Sequence, residues 1–188
     1  MVNSPLAQRP LGPMLRRWRT LHRIKQLHAA ELFGVTQSTI SRWEAGVQDM
    51  APDERLRAES LLRARLSSSA DHALARLIDT HPGAMHLVCD LTHRLLASSP
   101  ARAAEFGRPI AQLIGHSLWR YATEAIAQRE ASLDALGWHD DLAPPGVEFS
   151  TGANDSVVVP IRPSVCRWTR MTLSDGTAVR LVETLRSD

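Results

Sequence analysis

The stretch Gln26 to Gly46, QLHAAELFGVTQSTISRWEAG, constrains this chain most. Gly34 stands between two short helical patterns, where the backbone must turn sharply and a residue without Cβ is favoured. Thr36 can cap the helix that follows, about Gln37 to Glu44, through its hydroxyl. That second helix has two faces. Ile40 and Trp43 are three apart and point into a core. The pairs Gln37/Ser41 and Ser38/Arg42 are i,i+4 neighbours on the other side. They offer an amide, two hydroxyls and a guanidinium, the groups that read base edges in a major groove. In the first helix, Gln26 to Phe33, the residues Leu27, Ala30 and Phe33 form the inner side, and Ala30 is small enough for a close helix crossing.

These residues resemble the lambda-repressor-like (Xre/Cro-type) helix-turn-helix family. With Gln26 as first position, that family has a small residue fifth, glycine ninth, and apolar residues at eight, ten, fifteen and eighteen. Here those are Ala30, Gly34, Phe33, Val35, Ile40 and Trp43. Trp43-Glu44-Ala45-Gly46 is similar to the family's W-E-x-G ending, and Leu11, Gly12, Leu15, Arg16 and Arg19 to its first helix. The resemblance implies an ion pair between Arg19 and Glu44. It also implies contact with double-stranded operator DNA through Lys25, Gln26, Thr36, Gln37, Ser38, Thr39 and Arg42. Lys25 departs from the usual capping Ser or Thr, which weakens the cap and adds a cation near the phosphates. Ala29 replaces a common leucine. The bland alternative, two ordinary amphipathic helices around a glycine, must meet all these positions by coincidence.

Charge supports the division this implies. Residues 1–66 hold eleven Lys or Arg against six Asp or Glu, while residues 67–188 hold eleven against fourteen. A basic first part before an acidic remainder fits a DNA-binding module joined to a domain that does not touch DNA. No signal peptide and no run of roughly 20 apolar residues is visible, so the expected location is the cytoplasm. Cys89 and Cys166 are then reduced by default, and neither has zinc-ligand spacing.

Residues 1–10, with Arg9, read as a loose arm. A first helix is expected over 11–23 from Leu11, Leu15, Trp18 and Leu21, with Arg16, Arg17 and Arg23 outward. Pro52 opens a further helix, with Asp53 and Glu54 in its first turn and Leu56, Leu61 and Leu62 available to close the domain. The stripe Leu62, Leu66, Ala70, Ala73 and Leu77 continues at helical spacing across Ser67-Ser68-Ser69, where a break or bend is expected. The domains read as 1–66, a helical linker at 67–83, and 84–188.

From Ala84 the period changes. Met85 to Cys89 and Arg94 to Ser98 read as a strand hairpin. Helices are expected at Pro100 to Phe106, Ile110 to Ile114 and Thr123 to Leu136, and a polar loop at 139–155. Strands are expected at Val157 to Ile161, Cys166 to Leu173 and Ala178 to Leu185, the last two joined by an Asp-Gly turn. In the final strand Ala178, Arg180, Val182 and Thr184 share one face, with Val179, Leu181, Glu183 and Leu185 on the other.

This order, with Ser99-Pro100-Ala101 opening a helix that ends at Phe106-Gly107, and with Leu113-Ile114-Gly115-His116-Ser117-Leu118-Trp119, resembles a PAS domain. That implies an α+β fold with a five-stranded antiparallel sheet and helices across one face. The family often holds haem, flavin or another small ligand between them. The matching residues are Phe106, Leu113, Leu118, Trp119, Tyr121 and Ile126, which would be core in any α+β domain. His116 or His139 is a candidate axial ligand, against the commoner reading as surface histidine. His139-Asp140-Asp141 could hold a metal, but a solvated loop explains it as well, and no metal site is expected. No catalytic set is visible, so no enzyme is expected. The function implied is a homodimeric transcriptional regulator on a palindromic operator, with a domain that senses a small ligand or redox signal. An antitoxin-type protein that neutralises a partner through its C-terminal half is the alternative.

Overall fold

The computed structural model describes residues 11–139 and 143–187. The arm at 1–10, with Arg9, and the pair Asp140 and Asp141 lie outside them. The chain divides into two compact units between Arg63 and Ala64. The first is helical: α1 (Leu11–Leu21), α2 (Gln26–Phe33), α3 (Gln37–Glu44) and α4 (Pro52–Leu62). Leu11, Leu15, Ala29, Ala30, Phe33, Ile40, Trp43, Ala58 and Leu62 form its core. Gly12 is required where α1 meets α3, because a Cβ there would lie 1.7 Å from the Trp43 carbonyl oxygen. Gly34 terminates α2 at φ +68, a conformation that costs a residue with a Cβ more.

One expected inner residue points out. Leu27 is 59% exposed, and Ala29 is buried beside Ala30 and Phe33. At ~100° per residue the inward arc is centred on those three positions, and Leu27 falls beyond its edge. Leu56 is likewise exposed, with Ala58 and Leu62 facing inward instead.

The second unit opens with α5 (Ser69–Asp79). It continues through β1 (Met85–Cys89), β2 (Leu95–Ser98), α6 (Pro100–Glu105), α7 (Glu124–Ala131), β3 (Val147–Ser150), β4 (Ser164–Thr172) and β5 (Ala178–Ser187). The strands form one antiparallel sheet in the order β2-β1-β5-β4-β3. This is the α+β architecture that the resemblance implies.

The interruption expected at Ser67-Ser68-Ser69 is present, as a full break between two helices. Arg63 ends α4 in an extended conformation, and Ser68 starts a new helix. Ser68 Oγ accepts from Asp71 N at 3.1 Å, while Asp71 Oδ2 accepts from Ser68 N at 3.0 Å. Such a reciprocal cap satisfies two otherwise orphaned donors and is a start signal rather than a kink. Helix α5 packs on β1 and β2. Asp71 also accepts from Ser174 N at 3.0 Å and Ser174 Oγ at 2.8 Å, which ties α5 to the β4–β5 turn. The helix thus belongs to the second unit.

The third strand also differs. It is Val147–Ser150, not Val157 to Ile161. The latter run lies in a loop shaped by side chains. Asn154 Nδ2 donates to the carbonyls of Tyr121 and Val159, and its Oδ1 accepts from Ile161 N. Ser156 Oγ accepts from Val158 N and Val159 N. Pro160 and Pro163 have no N–H to donate to a ladder. Apolar β-branched residues there suggested a strand, yet Val157 is 82% exposed.

Candidate nucleic-acid interface and ligand cavity

Thr36 caps α3, its Oγ1 accepting from Thr39 N at 3.2 Å; it also shares hydrogen bonds with the hydroxyls of Ser38 and Thr39. With the start of α3 held this way, Ile40 and Trp43 are buried while Gln37, Ser38, Ser41 and Arg42 are exposed along one side. The Arg42 guanidinium meets no carboxylate among the described residues. Lys25 is exposed at the start of α2 and makes no side-chain cap.

Behind this face lies an ion pair. Arg19 Nε and Nη2 donate to Glu44 Oε1 and Oε2 at 2.7 and 2.9 Å, and Arg19 Nη1 donates to the Ile24 carbonyl at 2.9 Å. Burial alone would raise the Glu44 pKa, but hydrogen bonds from Arg19 and Gln26 outweigh it and hold the carboxyl below its usual range. Gln26 Nε2 donates to Glu44 Oε2 at 2.9 Å, and Gln26 Oε1 accepts from Gln37 Nε2 at 3.5 Å. Gln26 therefore links the buried pair to the exposed row, and its amide is already engaged at both ends.

The second unit contains a cavity of about 470 Å³ between the sheet and the segments that cross it, within the usual range for small-ligand sites. Of the six residues suggested by the PAS resemblance, Phe106, Leu118, Trp119 and Ile126 line it. Leu113 and Tyr121 do not. Leu113 is buried in a neighbouring cluster with Val88, Leu95 and Val159, and Tyr121 packs against that cluster.

The sheet supplies the lining that the pattern of apolar residues missed. His86 pairs with Val182, Trp168 with Val182, and Cys166 with Thr184 in the ladder, so these side chains share one face. Arg180 lies on it too, 1% exposed. Its Nε donates to Asp90 Oδ1 at 2.8 Å and its Nη2 to the same oxygen at 2.6 Å, while Nη1 donates to Glu130 Oε2. Its guanidinium carbon lies 4.3 Å from the Trp168 ring centre, a cation–π distance. Asp90 further accepts from Arg170 Nε and Trp138 Nε1, each at 3.2 Å. Burial would push the Asp90 pKa up, but Arg180, His139 and Arg170 hold it well below the carboxylate range.

The candidate haem ligands fall elsewhere. His116 is exposed, and His139 engages Asp90 and Asp134. The cavity histidines are His86 and His93. His93 adopts φ +53 and packs at a tilt against Trp119, ring centres 4.7 Å apart, with Nε2 3.3 Å from Glu130 Oε1. Burial and the Arg102 charge push His86 down to about 3, so it is neutral at physiological pH. Burial pushes the Cys166 thiol up to about 12, and Cys89 is fully buried. A thiol so raised supplies little thiolate for redox chemistry. Among the described residues no cluster of metal-ligating side chains occurs and no helix is long and apolar enough to cross a membrane.

Residues 15–58 match the helix-turn-helix family. Solved structures similar to the chain include the PAS domain of an HTR-like protein from Haloarcula marismortui, at 15% identity and TM-score 0.46, covering 71% of this chain and 99% of that one. A PAS domain from Desulfitobacterium hafniense has 14% identity and TM-score 0.41, covering 58% and 99%. A sensory box sensor histidine kinase from Vibrio cholerae has 11% identity and TM-score 0.38, covering 63% and 94%. No curated protein matches the chain. With α3 capped, its apolar side buried and its polar side open, residues 15–58 form a DNA-binding helix-turn-helix of the matching family, joined to an α+β unit built on a five-stranded antiparallel sheet.

Proposed function

We propose that the chain is a sequence-specific transcriptional regulator that acts by binding rather than catalysis, in the cytoplasm, as a homodimer on palindromic DNA. The observation that carries this reading is the exposed row Gln37, Ser38, Ser41 and Arg42 on a helix whose other side is buried. One such helix reads a half-site, and two half-sites one helical turn apart need two copies related by a two-fold axis. The seam is narrower than the sequence stripe. Leu62 closes the first unit and Leu66 lies outside any helix, but Ala70 and Leu77 of α5 are exposed, Leu77 at 70%, with Ala73 between them. The cavity of the second unit receives a small molecule whose binding alters DNA affinity.

The test is selection of bound duplexes from a randomised pool by the full chain, with native mass measured at micromolar concentration. A dimer mass and enrichment of an inverted repeat with half-sites about 34 Å apart are expected. A pool that stays random after repeated rounds would reject the reading.

A further inference from the structure

We propose that the cavity takes a small organic monocarboxylate, its apolar body among Val88, Phe106, Leu118 and Trp168 and its carboxylate against Arg102. This rests on the reading of the cavity as a ligand site and names the chemical class. The wall is mostly apolar, which excludes a highly charged or sugar-like occupant. Its charged residues are unbalanced. Arg102, Arg162 and Arg180 line the space, and Glu105 is the one carboxylate among the described lining residues. Arg180 is compensated from behind by Asp90 and Glu130, as its hydrogen bonds show. Arg162 has no acidic partner among the described residues, but it is exposed, so water compensates its charge.

Arg102 lies between these extremes. Its Nη2 donates to Thr184 Oγ1, over the cross-strand pair of Thr184 and Cys166. Its acidic partner Glu105 is 47% exposed, and an ion pair open to water on one side is weak. Arg102 Nε is buried with no hydrogen-bond partner among the described residues, and so is His86 Nδ1. Buried donors are nearly always satisfied, and an orphan beside a cavity marks a missing acceptor. A carboxylate presents two acceptor oxygens and matches a guanidinium in charge and geometry. A neutral ligand would leave Arg102 with the half-exposed Glu105 as its acidic partner.

The experiment titrates the full chain with benzoate, phenylacetate and hexanoate, each beside its primary amide, by calorimetry and by the fluorescence of Trp119 and Trp168. At least one acid is expected to bind, with its amide at least tenfold weaker. Arg102→Gln should remove that preference while leaving amide binding unchanged. If circular dichroism shows Arg102→Gln unfolded, Arg162→Gln is read in its place and should weaken the acid at least threefold. Amides that bind as well as the acids, no binding by any of the three acids, or a preference that survives in the folded variant would overturn the proposal. The same titration repeated with selected DNA separates the two readings. An acid that binds without changing DNA affinity upholds the site and rejects the coupling.

Discussion

The α3 face and the floor of the cavity both hold arginine, under opposite conditions. Arg42 is exposed and meets no carboxylate among the described residues. Arg180 is buried and bound to Asp90 and Glu130. A cation left in water keeps its hydration and remains free to exchange it for a phosphate or a base edge. A cation taken out of water must be compensated on the spot, and its partners then fix the elements that carry them. Arg180 draws together β5, the end of β1 and α7, whereas Arg42 holds nothing together. Removing the buried charge should therefore be read in stability, and removing the exposed one in binding.

The largest effect is expected at the buried site. Arg180→Ala leaves Asp90 and Glu130 short of a cation in an apolar surrounding, and breaking such a pair costs about 3–5 kcal/mol. Denaturant unfolding followed by Trp138 and Trp168 fluorescence should show the loss in the second unit, with the helical content of the first retained. A loss under about 1 kcal/mol would place the cluster in water and weaken the contrast with Arg42.

Glu44→Ala comes next. It strands Arg19, which is 16% exposed against 4% for Glu44. Water reaches the orphaned guanidinium, so the cost should sit at the lower end, about 3 kcal/mol. The melting temperature of the first unit should drop while the preferred DNA sequence stays the same. Acid should act in the same direction on both units. Glu44, Asp71 and Asp90 all have folded pKa values below their ordinary ones. For Asp71 burial opposes the shift, and hydrogen bonds from Ser174, Ser68 and Ser67 outweigh it. Each carboxylate contributes stability that is present above its unfolded pKa of about 4 and is lost as pH falls below it. His86 adds a loss that begins higher, below about 6.5, since its neutral form is the folded one. Thermal melts from pH 7 down to pH 3 should fall throughout, and a flat profile would contradict the burial of these groups.

The same contrast explains what could be read from the sequence. The helix-turn-helix was legible because its signals are local: Gly34 at positive φ, Thr36 as a cap, and Ile40 with Trp43 at helical spacing. The Arg19–Glu44 pair was legible through the resemblance. In the second unit the strand alternation already placed Arg180, Val182 and Thr184 on one face. What it lacked was the sign of that face, because an arginine reads as solvent-facing until its partners Asp90 and Glu130, 90 and 50 residues away in the chain, are known. Val157 to Ile161 has the composition of a strand, but the turn chemistry of Asn154 and Ser156 overrides that propensity. Ser67-Ser68-Ser69 marks the interruption in the α4–α5 stripe, but the apolar pattern does not show that the Ser68–Asp71 cap starts a new helix there.

On the exposed side, Arg42→Ala should cost about 1–3 kcal/mol on the selected site and much less on random duplex, since a base-reading guanidinium discriminates by that amount. Titration at fixed salt against both duplexes gives the ratio. Equal losses on the two would make Arg42 a phosphate contact and move base readout towards Gln37 and Ser38.

The smallest effect should come from Lys25, and it is the most diagnostic of docking. Lys25 stands at the start of α2 with extended backbone and no side-chain cap. Lys25→Ala therefore removes no capping hydrogen bond, and the fold should keep its stability. Its ammonium group is exposed near where a phosphate would pass if α3 lies in the groove. A phosphate contact contributes through counterion release, so its loss should lower the slope of log affinity against log salt by about 1. The operator and random duplexes should weaken by a similar factor. A changed base preference would place Lys25 in the groove, which requires α2 to be tilted towards the DNA and Arg42 to be tilted away. Those two variants, measured on the same pair of duplexes, fix the orientation of the module.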